Sequence, residues 1–138
     1  MTELPYTGAP DALVRGSADA AGIDLRITEA ISMQAGESKM VGTGVNVAIP
    51  TGHFGLVVVR SSLGMKGLTL ANAAGIIDSD YRGEIKVALH SFVAIDLAAG
   101  ERVAQMIVVP FAVLTPVNVD VLDDTARGQG GFGSTGTA

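Results

Sequence analysis

The densest polar run in the chain is Asn72-Ala73-Ala74-Gly75-Ile76-Ile77-Asp78-Ser79-Asp80-Tyr81-Arg82-Gly83-Glu84. Asp78 follows two isoleucines, so it is expected to be partly buried, and a carboxylate placed that way is a candidate general base. The Asn72 amide both donates and accepts, which suits it to reading the edge of a planar base. Tyr81 offers a flat face for a sugar ring. Asp is also a common turn residue, and Asp80 is read as one.

A second constellation is Arg60-Ser61-Ser62-Leu63-Gly64-Met65-Lys66-Gly67. Ser is a favoured N-cap, and a helical turn that starts there leaves backbone N–H groups free to meet an anion, with Arg60 supplying fixed positive charge. A capped surface turn would carry the same residues, and both readings stand at this point. A third is the tail Arg127-Gly128-Gln129-Gly130-Gly131-Phe132-Gly133-Ser134-Thr135-Gly136. Its glycines allow close backbone approach to a ligand and Phe132 can stack on a planar group, while a frayed terminus has the same composition. It is not a P-loop, because no Gly-Lys-Ser/Thr step is present.

These residues are positioned by short β-branched segments separated by Gly, Pro and Asp turns, the spacing of an all-β sandwich or barrel. Strands are predicted at Ile23–Ile27, Gly44–Ala48, Gly55–Val59, Thr69–Ala71, Gly75–Asp78, Ile85–His90, Arg102–Val109 and Val117–Val121. The polar run around Asp78 then falls between two apolar strands as a hairpin. Turns are predicted at Gln34-Ala35-Gly36-Glu37, Pro50-Thr51-Gly52, Asp80-Tyr81-Arg82-Gly83 and Ala98-Ala99-Gly100.

The 138 residues suit one domain, 1–138, with an N-terminal segment at 1–18 and a flexible lid at 123–138. Apolar residues make up 48% and charged ones 17%, a high ratio for a small soluble monomer, which favours an oligomer. A net charge of −5 with nine Lys and Arg argues against binding nucleic-acid backbone. No apolar run reaches the roughly 20 residues of a membrane span, and no secretory signal opens the chain, so a cytoplasmic location and no membrane partner are expected. The absence of cysteine excludes disulfides, thiolate metal sites and cysteine nucleophiles. His53 and His90 are scattered and form no transition-metal cluster.

Taken in order, Ala21-Gly22-Ile23-Asp24-Leu25, Arg60 to Lys66, Gly75 to Glu84, Gly100-Glu101-Arg102-Val103-Ala104-Gln105-Met106-Ile107 and the Gly-rich tail resemble the five motifs of the trimeric dUTPase family across essentially the whole chain. The resemblance implies a distorted β jelly roll with one short helix, assembled as a homotrimer with exchanged C-terminal tails and active sites at subunit interfaces. It implies hydrolysis of dUTP to dUMP and pyrophosphate with Mg²⁺, which keeps uracil out of DNA and supplies dUMP for thymidylate synthesis.

By the same resemblance Asp78 deprotonates the water that attacks the α-phosphorus. Asn72, Gly75, Ile76 and Ile77 hold uracil, Tyr81 lies under the deoxyribose, and Lys86 falls on a pocket position where a lysine has no evident role. Arg60, Ser61, Ser62 and Gln105 contact the triphosphate. Arg127, Ser134 and Thr135 grip its outer phosphates from the tail while Phe132 stacks on uracil. Asp24 reaches the metal only through water. The sequence departs from the family pattern at Ile23, often aromatic, and at Val59, commonly proline. The alternatives are a dCTP deaminase or bifunctional member of the superfamily, which uses a Glu in place of this Asp, and a non-catalytic nucleotide sensor on the same scaffold.

Overall fold

The computed structural model describes residues 3–136; the outermost residues of the 1–138 domain reading, 1, 2, 137 and 138, lie outside the described residues. Among the described residues twelve strands and one helix follow in chain order: β1 (Tyr6–Thr7), β2 (Val14–Arg15), β3 (Ile23–Arg26), β4 (Ile31–Met33), β5 (Ser38–Gly42), β6 (Asn46–Val47), β7 (His53–Val59), α1 (Ser61–Gly64), β8 (Leu68–Leu70), β9 (Gly75–Ile77), β10 (Lys86–Ser91), β11 (Ile95–Leu97) and β12 (Arg102–Pro110). The all-β expectation with one short helix is therefore met. Among the described residues no helix is long and apolar enough to cross a membrane.

The main sheet has the order β2-β3-β12-β7-β9, and a smaller one the order β5-β10-β8, with β4-β11 and β1-β6 as two-stranded pairs. All the pairings are antiparallel. Antiparallel strands alternate their side chains between two faces, so one face of each sheet can be apolar. In β3 the alternation puts Ile23 and Leu25 inside and Asp24 and Arg26 toward the other face; in β10 it buries Val87, Leu89 and Ser91. The inward faces meet in one core that joins Leu25, Val57, Val103, Ala104 and Met106 of the main sheet to Val41, Leu68, Leu70, Val87 and Leu89 of the smaller one. Among the described residues the two buried polar side chains are satisfied: Thr43 Oγ1 donates to the Ile85 carbonyl at 2.6 Å and Ser91 Oγ to that of Val93 at 2.6 Å.

Two of the predicted turns share one device. In Gln34–Glu37 the glutamate carboxylate accepts the Gln34 N–H at 2.8 Å, and in the turn Ala98–Glu101 Glu101 accepts the Ala98 N–H at 2.9 Å. Gly36 and Gly100, with φ of 82° and 81°, take the left-handed position in each.

Three predictions need correction. Val117–Val121 is not a strand: the whole stretch from Phe111 to Gln129 is exposed, and the backbone hydrogen bonds of 112–136 among the described residues are all local. A β-branched alternation makes a strand only where it meets a free sheet edge, and this segment meets none in its own chain. Gly44–Ala48 shortens to β6, two residues paired with β1. The run around Asp78 is not a hairpin, because β9 pairs with β7 while β10 pairs with β5 and β8. The polar run thus crosses from one sheet to the other. Strands β1, β2, β4, β5 and β11 escaped prediction because they are only two to five residues long; β1, β2 and β5 are mostly exposed, and β4 and β11 carry an apolar alternation of just three residues.

Candidate active site

At one end of the main sheet, β3, β12 and β7 bring four charged or polar residues onto one face. Gln105 pairs with Asp24 on one side and with Val58 on the other, two residues before Arg60. The register of β12 against β3 slips between Arg102 and Ala104, so Val103 and Ala104 are both fully buried in succession. Such a bulge re-aims the side chains before it, and here it turns Arg102 onto the face of Asp24 and Gln105. Arg102 Nη1 lies 3.0 Å from Asp24 Oδ2 and Arg60 Nε 3.8 Å from Oδ1, with the Asp24 side chain only 13% exposed. The result is a carboxylate held between two guanidinium groups, one of which, Arg60, also donates from Nη1 to the Arg102 carbonyl at 3.4 Å.

Arg60 also opens α1. It is the N-cap residue, extended at φ −68° and ψ 141°, and no side chain caps the helix. This corrects the expectation that Ser occupies the cap: Ser61 and Ser62 are the first two helical residues, both exposed. The capped surface turn, the other reading, is absent as well. The Arg60 N–H is bonded to the Val103 carbonyl at 3.1 Å, and the Arg60 carbonyl accepts from Leu63 and Gly64, so the cationic residue is fixed at both ends of its backbone.

At the other end of β9 a depression of about 350 Å³ is lined by Met40, Ile76, Ile77, Asp78, Tyr81, Glu84 and Lys86. Ile76 and Ile77 of β9 line it, in a strand held by pairing with Leu56 and Gly55 of β7. Asp78 stands just past β9 and is exposed, which corrects the expectation of partial burial. Alternation explains it: of the two preceding isoleucines, Ile76 points outward and is 59% exposed. From Asp78 to Tyr81 the chain turns, with Tyr81 N–H donating to the Asp78 carbonyl at 3.1 Å, in keeping with Asp80 as a turn residue. Arg82 Nη1 clamps that turn by donating to the carbonyls of Ser79 at 2.7 Å and Tyr81 at 3.2 Å. Before β9, Ala73 has a φ of 63° with Ala74 N–H donating to the Asn72 carbonyl at 2.7 Å, a γ-turn centred on a non-glycine residue. Such a conformation costs about 1 to 3 kcal/mol and holds the peptide after Asn72 in one orientation.

The two clusters do not meet in one chain. Ile77 pairs with Gly55, which sets Asp78 beside Phe54, whereas Arg60 follows the far end of the same strand. Six residues of strand at about 3.3 Å each separate them by about 20 Å. The tail meets neither cluster: Arg127 Nε donates to the Gly130 carbonyl at 2.7 Å within its own turn, and Phe132, Ser134 and Thr135 are exposed. Lys86 does line the depression, the one cation among two carboxylates there. Sequence reasoning missed Arg102 and Arg82. The adjacent apolar pair Val103-Ala104, breaking the alternation before Gln105, was the available sign of the bulge that re-aims Arg102.

Among the described residues no three His, Asp or Glu side chains stand close enough together to hold a metal ion. Asp24, the carboxylate nearest the cationic cluster, is already paired at both oxygens. These residues fit a metal that arrives on a polyanionic ligand and is met through water.

The dUTPase family model matches residues 10–136. The deoxyuridine 5'-triphosphate nucleotidohydrolase of Escherichia phage T5 is 48% identical, over 93% of this chain and 94% of that one. The fold is similar to that of Staphylococcus bacteriophage 80alpha dUTPase with dUPNHPP, at a TM-score of 0.87 and 23% identity over 99% of this chain and 100% of that chain. It is also similar to a dUTPase variant from phage phi11 of S. aureus that coordinates a structural Mg(II) ion, at a TM-score of 0.78 and 20% identity over 87% and 98% of the two chains.

Proposed function

Because the chain belongs to the dUTPase family, we propose that it hydrolyses dUTP to dUMP and pyrophosphate as a homotrimer whose sites lie between subunits. The observation that carries this reading is the split of the chemistry along β7. A nucleophile-activating carboxylate in a depression and a cationic cluster about 20 Å away cannot act on one α-phosphate within one copy. Both features become a single site when the Asp78 end of one subunit faces the Arg60 end of another.

In that site the backbone of Gly75–Ile77, with Asn72, reads uracil. Tyr81 stands against the deoxyribose, and Lys86 lines the same pocket. Asp78 takes a proton from a water whose oxygen bonds to the α-phosphorus as the bond to the α,β-bridging oxygen breaks, and pyrophosphate leaves. Arg60, with Ser61, Ser62 and Gln105, holds the triphosphate and neutralises charge on the leaving group, the largest service a protein renders in such displacements. Mg²⁺ carried by the triphosphate would add to that neutralisation, with Asp24 reaching it through water. The segment 123–138 acts as a lid on the single 1–138 domain: Arg127, Ser134 and Thr135 close over the outer phosphates, and Phe132 stacks on uracil. Ordering its glycines costs entropy, so closure follows substrate binding. A cytoplasmic site of action belongs to the same proposal.

The test is pyrophosphate release from dUTP measured beside dTTP, dCTP and UTP, with ammonia release from dCTP as a second readout. Selective release from dUTP is the expected result. Ammonia from dCTP would assign the chain to deamination, and no turnover of any nucleotide would leave a binding protein.

A further inference from the structure

Tyr81 is half exposed, yet its ring is held in one place by three features. Its N–H closes the turn onto the Asp78 carbonyl, its hydroxyl donates to the Glu84 carbonyl at 2.9 Å, and its ring edge lies across the bare Cα of Gly83. A Cβ at Gly83 would stand 2.5 Å from Cζ and 2.8 Å from Cε1 of that ring, and closer still to the hydroxyl oxygen. Carbon atoms in contact prefer about 3.5 to 4.0 Å, so ring and methyl cannot coexist in these positions. The three nearest atoms to that Cβ outside the adjoining residues all belong to Tyr81. The φ of Gly83 is not in the left-handed region, so an alanine there is allowed by the backbone. The absence of a side chain at Gly83 thus serves the position of Tyr81, whose ring is its tightest neighbour.

We infer that Gly83 is the positioning residue for sugar discrimination: its bare Cα is the seat that keeps the Tyr81 ring as a wall of the depression, and so excludes a 2′-hydroxyl. This rests on the reading of Tyr81 as the surface under the deoxyribose. With a methyl in the seat the ring must swing away, which opens room beside the sugar while Asp78, Arg60 and Gln105 keep their places. The consequence is loss of selectivity rather than loss of chemistry.

The experiment measures kcat/KM for dUTP and UTP with the full-length wild type, Gly83→Ala, Tyr81→Ala and the double variant. In Gly83→Ala the dUTP/UTP ratio is expected to fall at least tenfold, mainly through a lower KM and higher kcat for UTP, with kcat for dUTP within about threefold of wild type. The double variant is expected to match Tyr81→Ala, because the seat has no further purpose once the ring is gone. A ratio unchanged within twofold in Gly83→Ala, beside a Tyr81→Ala variant that has lost selectivity, overturns the role of Gly83 and leaves Tyr81 in place. An unchanged ratio in Tyr81→Ala overturns the sugar-wall reading and the inference with it. Should Gly83→Ala fold poorly, the double variant decides: recovery of folding when the ring is removed locates the clash at Tyr81 and supports the inference, and failure of both assigns Gly83 to the backbone and overturns it.

Discussion

Gly22→Ala tests whether a single methyl outside the reacting groups disables the triphosphate cluster. Gly22 is buried just before β3, its φ is not in the left-handed region, and the side chain of Gln105 from β12 lies across it. A Cβ built there falls 2.9 Å from Gln105 Cδ and 3.0 Å from its Cβ, and closer to the amide oxygen. With carbon contacts preferring about 3.5 to 4.0 Å, the carboxamide must retreat by about 1 Å. Misplacing a substrate-positioning group by about 1 Å costs on the order of 10²-fold in rate, or about 2.7 kcal/mol of transition-state stabilisation. Stability should fall by only about 1 kcal/mol, because what must move is mostly the end of a flexible side chain. The assay is steady-state pyrophosphate release from dUTP by wild type, Gly22→Ala, Gln105→Ala and the double variant. The losses are expected to overlap, with the double variant no worse than Gln105→Ala alone. A Gly22→Ala enzyme within threefold of wild type would refute the reasoning, as would a full second hundredfold loss on the Gln105→Ala background.

Asp78→Asn keeps the shape of the side chain and removes its basicity, so kcat should drop by about 10² to 10⁴-fold while affinity for a non-hydrolysable dUTP analogue, read by calorimetry, stays within a few fold. Truncation after Thr125 removes no residue of the core, so the shortened protein should melt at the wild-type temperature and sediment as the same oligomer, yet release pyrophosphate at least a hundredfold more slowly; normal turnover would exclude a lid role. Glu37 is held below the ordinary glutamate range, first by the Gln34 N–H and then by the Lys39 ammonium 3.2 Å away. Its folded-state proton affinity is lower than in the unfolded chain, so its contribution is present above the ordinary glutamate value and is lost as pH falls from there through the lowered folded-state value. Thermal melts of Glu37→Gln from pH 7 to pH 3 should therefore show a shallower acid decline than wild type, and equal slopes would place the carboxylate outside the pH response.

The order of the motifs, the all-β class and the types of group available for chemistry were legible along the chain, because alternation in Ile23–Ile27 or Ile85–His90 is a local property that burial on one face imposes. The same locality explains the misreadings. Val117–Val121 carries a strand pattern, but whether a strand forms depends on an edge that its own chain does not offer. Two isoleucines before Asp78 suggest burial, although strand alternation turns Ile76 outward and leaves the carboxylate at the surface.

Sequence determined which residues can do chemistry, since a carboxylate, a guanidinium or a bare Cα is a covalent fact of the chain. Tertiary structure alone decided where they stand. The antiparallel register put Asp78 and Arg60 at opposite ends of β7, a bulge in β12 turned Arg102 toward Asp24, and the glycines at 22 and 83 acquired meaning only when Gln105 and Tyr81 came to lie across them. Each of these arises from pairing between residues distant in sequence or from contacts a few tenths of an ångström in tolerance, and no residue's identity or neighbours specify either.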